Sequence, residues 1–216
     1  MHLIGLYCNK HMNSFEVLSK EPIIILSDKF LDKEDCQKVL NLQKKLENAT
    51  TSKNRIKDYR NSVVTLVDEE DDVIKEVKKK IAKLFGLDGN DMEKLQLQKY
   101  PKGGYYKEHF DAKSEDHFQK DESFSQRKYS IIIYLNDDFI GGETIFPKKN
   151  ISVKPLQGRL LLFSNLLNET NYIHPFSSHL SNKIVKGEKW ILSIWHHSFS
   201  EEVRKIALND GYLVQD

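Results

Sequence analysis

Three side chains in the second half of the chain could together hold one metal ion. His109 and Asp111 stand in the tripeptide HFD, and His179 follows far downstream. Two imidazoles and one carboxylate form the facial triad of non-heme Fe(II) oxygenases, which leaves open coordination positions for a bidentate 2-oxo acid and dioxygen. The residue types therefore indicate oxidative chemistry at a ferrous centre.

The spacing of these residues predicts the elements that position them. Residues i and i+2 of an extended strand project to the same side, so His109 and Asp111 can grip one metal while Phe110 points away. A single strand cannot supply a third correctly angled ligand, so we expect His179 to come from a facing strand. An HxD pair alone is a weak signal. The strongest rival for the third ligand is His174, which precedes a proline.

Several spaced motifs of the chain match one known family. The segments are FLDKEDC at 30–36, YPKGGYYKEHFD at 100–111, YLNDDFIGGETIFP at 134–147, GRLLLF at 158–163 and GEKWILSIW at 187–195. Together with His179 they resemble the prolyl 4-hydroxylases, members of the Fe(II)/2-oxoglutarate dioxygenases, over about residues 22–197. The chain departs from the family in LSNKI after His179, where relatives often read x-Gly-x-Pro-Val, but the His-to-Lys spacing survives.

The resemblance implies a role for each matching residue. It implies that His109, Asp111 and His179 are the iron ligands, and that Lys189 is the cation facing the distal carboxylate of 2-oxoglutarate. A buried carboxylate needs such a fixed positive partner, because its desolvation is otherwise costly. Two further sets follow from the resemblance: co-substrate contacts from Tyr100, Tyr134 and Thr144, and a peptide groove formed by Tyr106, Arg127 and Trp195.

The resemblance also implies a reaction. Fe(II), 2-oxoglutarate and O2, with ascorbate as a further cofactor, would hydroxylate a substrate C–H while 2-oxoglutarate becomes succinate and CO2. The implied partner is a proline-containing peptide or protein, with C4 of proline as the target, although another side chain or a small molecule could replace it. Two other classes stay open. A zinc hydrolase could use two His and one Asp but has no use for Lys189, and a non-catalytic jelly-roll binding module could retain the same shell.

Composition sets limits on the class of protein. A chain of 216 residues suits one domain with a substantial core. Lys and Arg total 33 and Asp and Glu total 32, a balance that gives no electrostatic footprint for nucleic acid. No apolar run is long enough to span a bilayer, and the opening MHLIGLYC lacks the basic region of a secretion signal. We therefore expect a cytoplasmic protein with no nucleic-acid or membrane partner. Its oligomeric state stays open.

The hydrophobic pattern predicts an α+β fold, a double-stranded β-helix (jelly roll) with supporting N-terminal helices. We expect an extension at 1–21, an oxygenase domain at 22–197 with helices 32–46 and 71–85 and a jelly roll from about 95, and a helix or tail at 198–216. Residues 48–61 read as a loop, and the charged stretch 112–126 reads as a mobile lid over the peptide groove. The predicted strands are 22–26, 95–100, 105–110, 129–135, 151–154, 159–163, 171–174 and 190–196.

Overall fold

The computed structural model of the protein describes residues 15–46, 59–113, 126–167 and 170–197. Within these ranges the chain forms the helices α1 (Lys33–Leu46) and α2 (Asp72–Phe85). The strands follow in chain order: β1 Phe15–Lys20, β2 Ile23–Ser27, β3 Arg60–Asn61, β4 Val63–Leu66, β5 Gln96–Tyr100, β6 Tyr105–His109, β7 Tyr129–Tyr134, β8 Ile140–Gly141, β9 Thr144–Phe146, β10 Ile151–Val153, β11 Leu160–Ser164, β12 His179–Ser181, β13 Ile184–Lys186 and β14 Lys189–His196.

Two sheets contain most of these strands. One sheet has the order β1-β2-β11-β7-β14-β5-β4, the other has the order β10-β9-β12-β6-β3, and β13 pairs with β8. Side chains of both sheets meet in one apolar cluster, where Ile132 and Leu161 of the first sheet pack with Phe146 and Val153 of the second. Two antiparallel sheets that share one core confirm the predicted α+β fold with a jelly-roll centre.

The central strands of the larger sheet are buried on both faces because their side chains alternate between two cores. On β7, Ile131 and Ile133 join the cluster on the helical side, whereas Ile132 and Tyr134 join the cluster between the sheets. Successive residues of a strand point to opposite faces, which explains this division. Each fully buried Leu or Ile contributes about 1.5–3 kcal/mol, so these continuous apolar strands hold the sheet rigid behind any site between the sheets.

The two helices cover the outer face of the larger sheet. Helix α2 buries Ile74, Val77, Ile81 and Phe85 there, and Gly86 ends it with a left-handed φ of 61°. Glycine reaches this conformation at no steric cost, which makes it the usual residue after a helix. The first residue of α1 and both ends of α2 agree with the predicted ranges to within one residue.

Three parts of the predicted secondary structure need correction. The predicted strand 171–174 is wrong: only Ile173 forms an isolated bridge, with Leu166, and its neighbour Tyr172 is 64% exposed. Strands β3 and β4 lie within and just after the segment 48–61, which was predicted as a loop. Strand β1 pairs with β2 at the edge of the larger sheet, so the sheet begins inside the predicted extension at 1–21.

Other predictions fall on parts of the chain that the structure does not describe. Most of the proposed lid at 112–126 and all of the tail at 198–216 lie outside the described residues. Neither helix among the described residues combines the length and apolar character that a membrane crossing requires.

Candidate metal centre

The pairing of β6 with β12 brings the two histidines of the predicted triad together. In this antiparallel ladder His179 lies directly opposite His109. Strand β6 ends at His109, and Asp111 follows two residues later, beyond Phe110, which is 39% exposed. The predicted arrangement, two ligands from one extended segment and the third from a facing strand, is therefore present in the fold.

The three side chains converge on one point between the sheets. Asp111 Oδ1 lies 3.4 Å from His109 Nε2, and Asp111 Oδ2 lies 3.6 Å from His179 Nε2. All three potential ligand atoms lie within 4.8 Å of one another. All three side chains are at most 10% exposed. This spacing is what a single ion requires of three donors, each about 2 Å from the metal.

Backbone carbonyls orient both imidazoles toward this point. His109 Nδ1 lies 2.8 Å from the carbonyl oxygen of Lys107, and His179 Nδ1 lies 3.1 Å from that of Ser177. A carbonyl only accepts, so in both rings Nδ1 carries the proton and donates it. The lone pair of Nε2 is left bare and faces the cluster, which is the usual arrangement behind a metal-bound histidine.

The electrostatics of the cluster also suit a cation. Burial opposes ionisation of Asp111, but His179, His109 and Ser130 outweigh burial and lower the pKa of the carboxyl below its usual range. Burial lowers the pKa of His179 to about 4. At neutral pH the site therefore presents an ionised carboxylate and a neutral His179, the protonation states that metal ligands need. Two imidazoles and one carboxylate that leave one side open fit Fe(II).

Lys189 lies in the same cavity as the metal cluster. Its side chain is 1% exposed, and Nζ donates to the carbonyl oxygen of Gly142 at 2.8 Å and to Ser181 Oγ. Nζ also lies 4.5 Å from the centroid of the Tyr100 ring. At Gly142 a Cβ would lie 2.5 Å from Ile184 Cδ1, so a larger residue would disturb this lysine pocket. Among the described residues, no carboxylate lies at ion-pair distance from this ammonium group.

The burial of Lys189 predicts a pH dependence for binding of an anionic co-substrate. Burial lowers the pKa of Lys189 to about 7, and only Glu143 opposes this shift. As pH rises through 7 the cation is lost, so the dissociation constant of 2-oxoglutarate should rise, approaching about tenfold per pH unit. Calorimetry with Mn(II)-loaded protein between pH 6 and 8.5 measures this slope without turnover.

The matched control for this titration is a ligand without the distal carboxylate. Binding of 2-oxopentanoate, which has a methyl group in that position, should show a flat profile over the same range. Equal slopes for the two ligands would contradict a role for Lys189 in binding the distal carboxylate.

The residues predicted to contact the co-substrate differ in their access to the cavity. Tyr100 and Thr144 line it. Tyr134 is not among the lining residues, although its hydroxyl lies 2.7 Å from Thr144 Oγ1. Burial raises the pKa of Tyr134 despite that hydrogen bond, so its hydroxyl stays protonated. Tyr134 is therefore placed to orient Thr144 rather than to touch a small ligand.

The three residues predicted to line a peptide groove also surround the cavity. The Tyr106 ring stacks on His109 with centroids 3.6 Å apart. The Arg127 guanidinium lies 3.9 Å from the centroid of the Trp195 ring and forms hydrogen bonds of 2.6 and 2.8 Å with the Glu93 carboxylate. Burial opposes ionisation of Glu93, but His197 and Arg127 lower its pKa to about 2. Arg127 is thus a fixed part of the wall with its charge already balanced.

The cavity has a volume of about 110 Å³ and contains residues that the sequence interpretation missed. Ser130 donates to Asp111 Oδ2 at 2.6 Å, and Arg60 donates to Gln98 Oε1 at 2.6 Å. Gln98 and Ser181 stand two positions from Tyr100 and His179 on their strands, and the period of two could have identified both. Ser130 lies four positions before Tyr134 on β7, so the same period also places Ser130 on the face between the sheets. No local pattern marks Arg60, which only tertiary contacts bring to the site.

The rival histidines have other partners. His174 Nδ1 accepts a hydrogen bond from the backbone N–H of Phe176, and its Nε2 lies 3.8 Å from Glu21. His196 Nε2 lies 2.8 Å from the carbonyl oxygen of Asp88, and His197 Nε2 lies 2.8 Å from Glu93 Oε1. Within the described part of the chain, the only group of three such ligands that could hold a metal contains His179.

Comparisons with known proteins agree with this geometry. Residues 95–197 match the model of the 2OG-Fe(II) oxygenase superfamily. A protein of Acanthamoeba polyphaga mimivirus that is named for prolyl 4-hydroxylase activity is 32% identical over 164 residues, which cover 74% of this chain and 68% of that protein. Prolyl 4-hydroxylase 2 of Arabidopsis thaliana is 28% identical, over 90% of this chain and 73% of that protein.

A solved structure shows the same likeness. The crystal structure of a viral collagen prolyl hydroxylase from Paramecium Bursaria Chlorella virus-1, in complex with 2OG, superposes with a TM-score of 0.66 at 25% identity. The match covers 82% of this chain and 96% of that chain.

Proposed function

Because the chain belongs to the prolyl 4-hydroxylase family of Fe(II)/2-oxoglutarate-dependent dioxygenases, we propose that it hydroxylates proline residues of a peptide or protein at C4. The observation that carries the proposal is one cavity with two kinds of site. The cluster of His109, Asp111 and His179 suits Fe(II), and the buried Lys189 suits the distal carboxylate of 2-oxoglutarate. A zinc hydrolase would need the first site but not the second.

In this reaction each part of the chain has a distinct task. Bound Fe(II), 2-oxoglutarate and O2 supply the oxidising power that converts a C–H bond to C–OH, with succinate and CO2 as the other products. His109, Asp111 and His179 would hold the metal, and three protein ligands would leave coordination positions for the reactants. Lys189 fixes the far end of the co-substrate, and the apolar shell around His179, formed by Phe146 and Phe163, keeps water away.

A surface groove beside the cavity supports a peptide as the substrate. The groove has a volume of about 530 Å³ and shares Tyr106, Leu180 and Ser181 with the metal cavity. It adds further aromatic and basic side chains, namely Tyr59, Tyr105, Lys107 and Lys183. Aromatic grooves suit proline-containing segments, since a proline ring packs on an aromatic face and an extended proline-rich chain loses little entropy on binding.

The test of the proposed function couples two products in one incubation. Proline-containing peptides are incubated with the protein, Fe(II), ascorbate and 2-oxoglutarate, and succinate and peptide mass are followed together. We expect a gain of one oxygen atom on proline in step with succinate. Succinate without peptide oxidation would contradict proline as the target, and the absence of both products would contradict the oxygenase.

The charges of the groove predict a preference among peptides. Lys107, Lys183 and Glu108 all line the groove and are exposed, but the Glu108 carboxylate already accepts a hydrogen bond from Ser178 Oγ at 2.7 Å. A peptide with Glu beside the proline should therefore have a lower KM than the same peptide with Lys. Reversing both charges, with Lys107→Glu and Lys183→Glu, should raise KM for the acidic peptide about 3–10-fold, since exposed charge pairs contribute up to about 1 kcal/mol each.

Lys186→Glu is the matched control for these reversals, because Lys186 is also exposed but does not line the groove. We expect this variant to keep the peptide KM, and both this variant and the double reversal to keep the KM for 2-oxoglutarate. High salt should reduce the effect of the reversals, because exposed charges are screened. An unchanged preference in the double variant would contradict a peptide path along this groove.

A further inference from the structure

A buried polar chain stands behind the carboxylate of the metal cluster. Ser130 Oγ donates to Asp111 Oδ2 at 2.6 Å, and Asn165 Nδ2 donates to Ser130 Oγ at 2.9 Å. The direction of these bonds is fixed, because an amide NH2 group can only donate. The Ser130 oxygen accepts from Asn165, so its own proton is directed to Asp111 Oδ2.

The same asparagine supports the second histidine through its backbone. Its carbonyl oxygen accepts from Ser177 Oγ at 3.2 Å and from the backbone N–H of His174 at 2.9 Å. The carbonyl oxygen of Ser177 in turn lies 3.1 Å from Nδ1 of His179. Asn165 therefore connects two metal ligands, Asp111 through its side chain and His179 through its main chain.

The burial of the hydrogen-bonded pair Asn165 and Ser130 indicates a role other than stabilising the fold. Asn165 is 0% exposed, Ser130 is 1% exposed, and Asn165 Oδ1 has no hydrogen-bond partner among the described residues. A buried polar atom without a partner costs about 1–3 kcal/mol, so an apolar residue would serve the core better. An asparagine at this position makes sense if its NH2 group has a task that an apolar side chain cannot perform.

We propose that Asn165 and Ser130 are positioning residues that hold Asp111 as a one-oxygen metal ligand. This inference rests on the proposed function, since it concerns the same metal centre. Ser130 occupies Oδ2, which leaves Oδ1 as the better donor to a cation. Asn165 fixes the direction of the Ser130 proton, and without that direction the serine could turn away from the carboxylate.

Two substitutions test the hydrogen bonds from Asn165 through Ser130 to Asp111 with little change in side-chain volume. Asn165→Asp replaces the donating NH2 group with an oxygen that accepts, so Ser130 would donate to the new carboxylate and lose its bond to Asp111. Ser130→Ala removes the hydroxyl. Titration with Mn(II) should show about 10–100-fold weaker binding in both variants, the usual loss when a partner of a metal ligand is removed. Ser130→Thr keeps a hydroxyl and should stay within about threefold of the wild type.

Two readouts separate positioning from a general loss of structure. The ligand-field spectrum of Co(II) reports the coordination of the ion, and its bands should shift in Ser130→Ala and Asn165→Asp but not in Ser130→Thr. Ser27 on β2 provides the matched control, because its buried hydroxyl lies outside the cavity and has no hydrogen-bond partner in the part of the chain that the structure describes. Ser27→Ala should keep both the affinity for Mn(II) and the Co(II) spectrum.

The possible outcomes distinguish this inference from the proposed function. Wild-type affinity and an unchanged Co(II) spectrum in folded Ser130→Ala and Asn165→Asp would overturn the positioning role, even if the wild type hydroxylates proline. If one variant does not fold, the other and the Ser130→Thr comparison still decide. A wild-type protein that binds no divalent metal would instead overturn the proposed function itself.

Discussion

Asp111→Ala is expected to reduce turnover below detection and to weaken metal binding by more than about 100-fold, since loss of an outer partner alone costs about 10–100-fold. Asp111 is the only carboxylate of the cluster, and its oxygens face both His109 Nε2 and His179 Nε2. Two neutral imidazoles alone do not balance the charge of a divalent ion. Succinate production and Mn(II) titration measure the two effects separately.

Two comparisons make the Asp111 result specific. Glu76→Ala removes an acidic side chain from the exposed face of α2 and should leave both quantities unchanged. Asp111→Asn keeps the shape and one oxygen but removes the negative charge, so its affinity for the metal should fall between the wild type and Asp111→Ala. Retained turnover in Asp111→Ala would refute the ligand assignment.

The sequence sufficed to predict the centre of the site because local spacing encodes it. A spacing of two along one extended segment places His109, at the end of β6, and Asp111, just beyond β6, on the same side, and the family motifs indicate His179 and Lys189. The structure brings all four into one cavity. The supporting residues could not be predicted in this way. Asn165 meets Ser130 because β7 lies beside β11, and Ser130 meets Asp111 across the space between the two sheets, so both contacts depend on the complete fold.

The same distinction applies to the fold. Helices α1 and α2 carry an apolar stripe and begin after capping aspartates, and the predicted start of α1 and both predicted ends of α2 agree with the structure to within one residue. Strand β3 has two polar residues, Arg60 and Asn61, and exists because it pairs with β6. The stretch 171–174 has strand-like residues, but within the described ranges its only strand-like pairing is the single bridge of Ile173 with Leu166. Local composition cannot reveal whether a pairing partner is present.

Asp111 and Lys189 lie in the same cavity, but their surroundings affect their ionisation in different ways. Asp111 stays ionised at neutral pH because its neighbours lower the pKa of its carboxyl group. Lys189 is the opposite case, since burial lowers its pKa toward neutrality and only the distant Glu143 counteracts the shift. The metal site therefore has its negative charge before a cation binds. The charged form of Lys189, by contrast, is destabilised by burial as long as no anion is bound beside it.

Lys189→Met should raise the stability of the fold and weaken the binding of the co-substrate. Methionine has a similar volume without the charge, so it removes a buried cation that has no ion-pair partner among the described residues. The metal-free variant should be more thermally stable, most of all below pH 7, where Lys189 is charged. Its affinity for 2-oxoglutarate should fall about 150–5,000-fold, because removal of one partner from a buried ion pair costs about 3–5 kcal/mol.

A comparison of 2-oxoglutarate with 2-oxopentanoate, which lacks the distal carboxylate, tests this prediction. The wild type should bind 2-oxoglutarate far more tightly than 2-oxopentanoate, and Lys189→Met should bind the two about equally, since the difference between them is the group that Lys189 would hold. Thermal denaturation of the metal-free proteins measures the change in stability, and calorimetry of the Mn(II)-loaded proteins measures the affinity for each ligand. A variant that gains stability but keeps the wild-type preference would show that the lysine is buried for another reason, and that another residue receives the carboxylate.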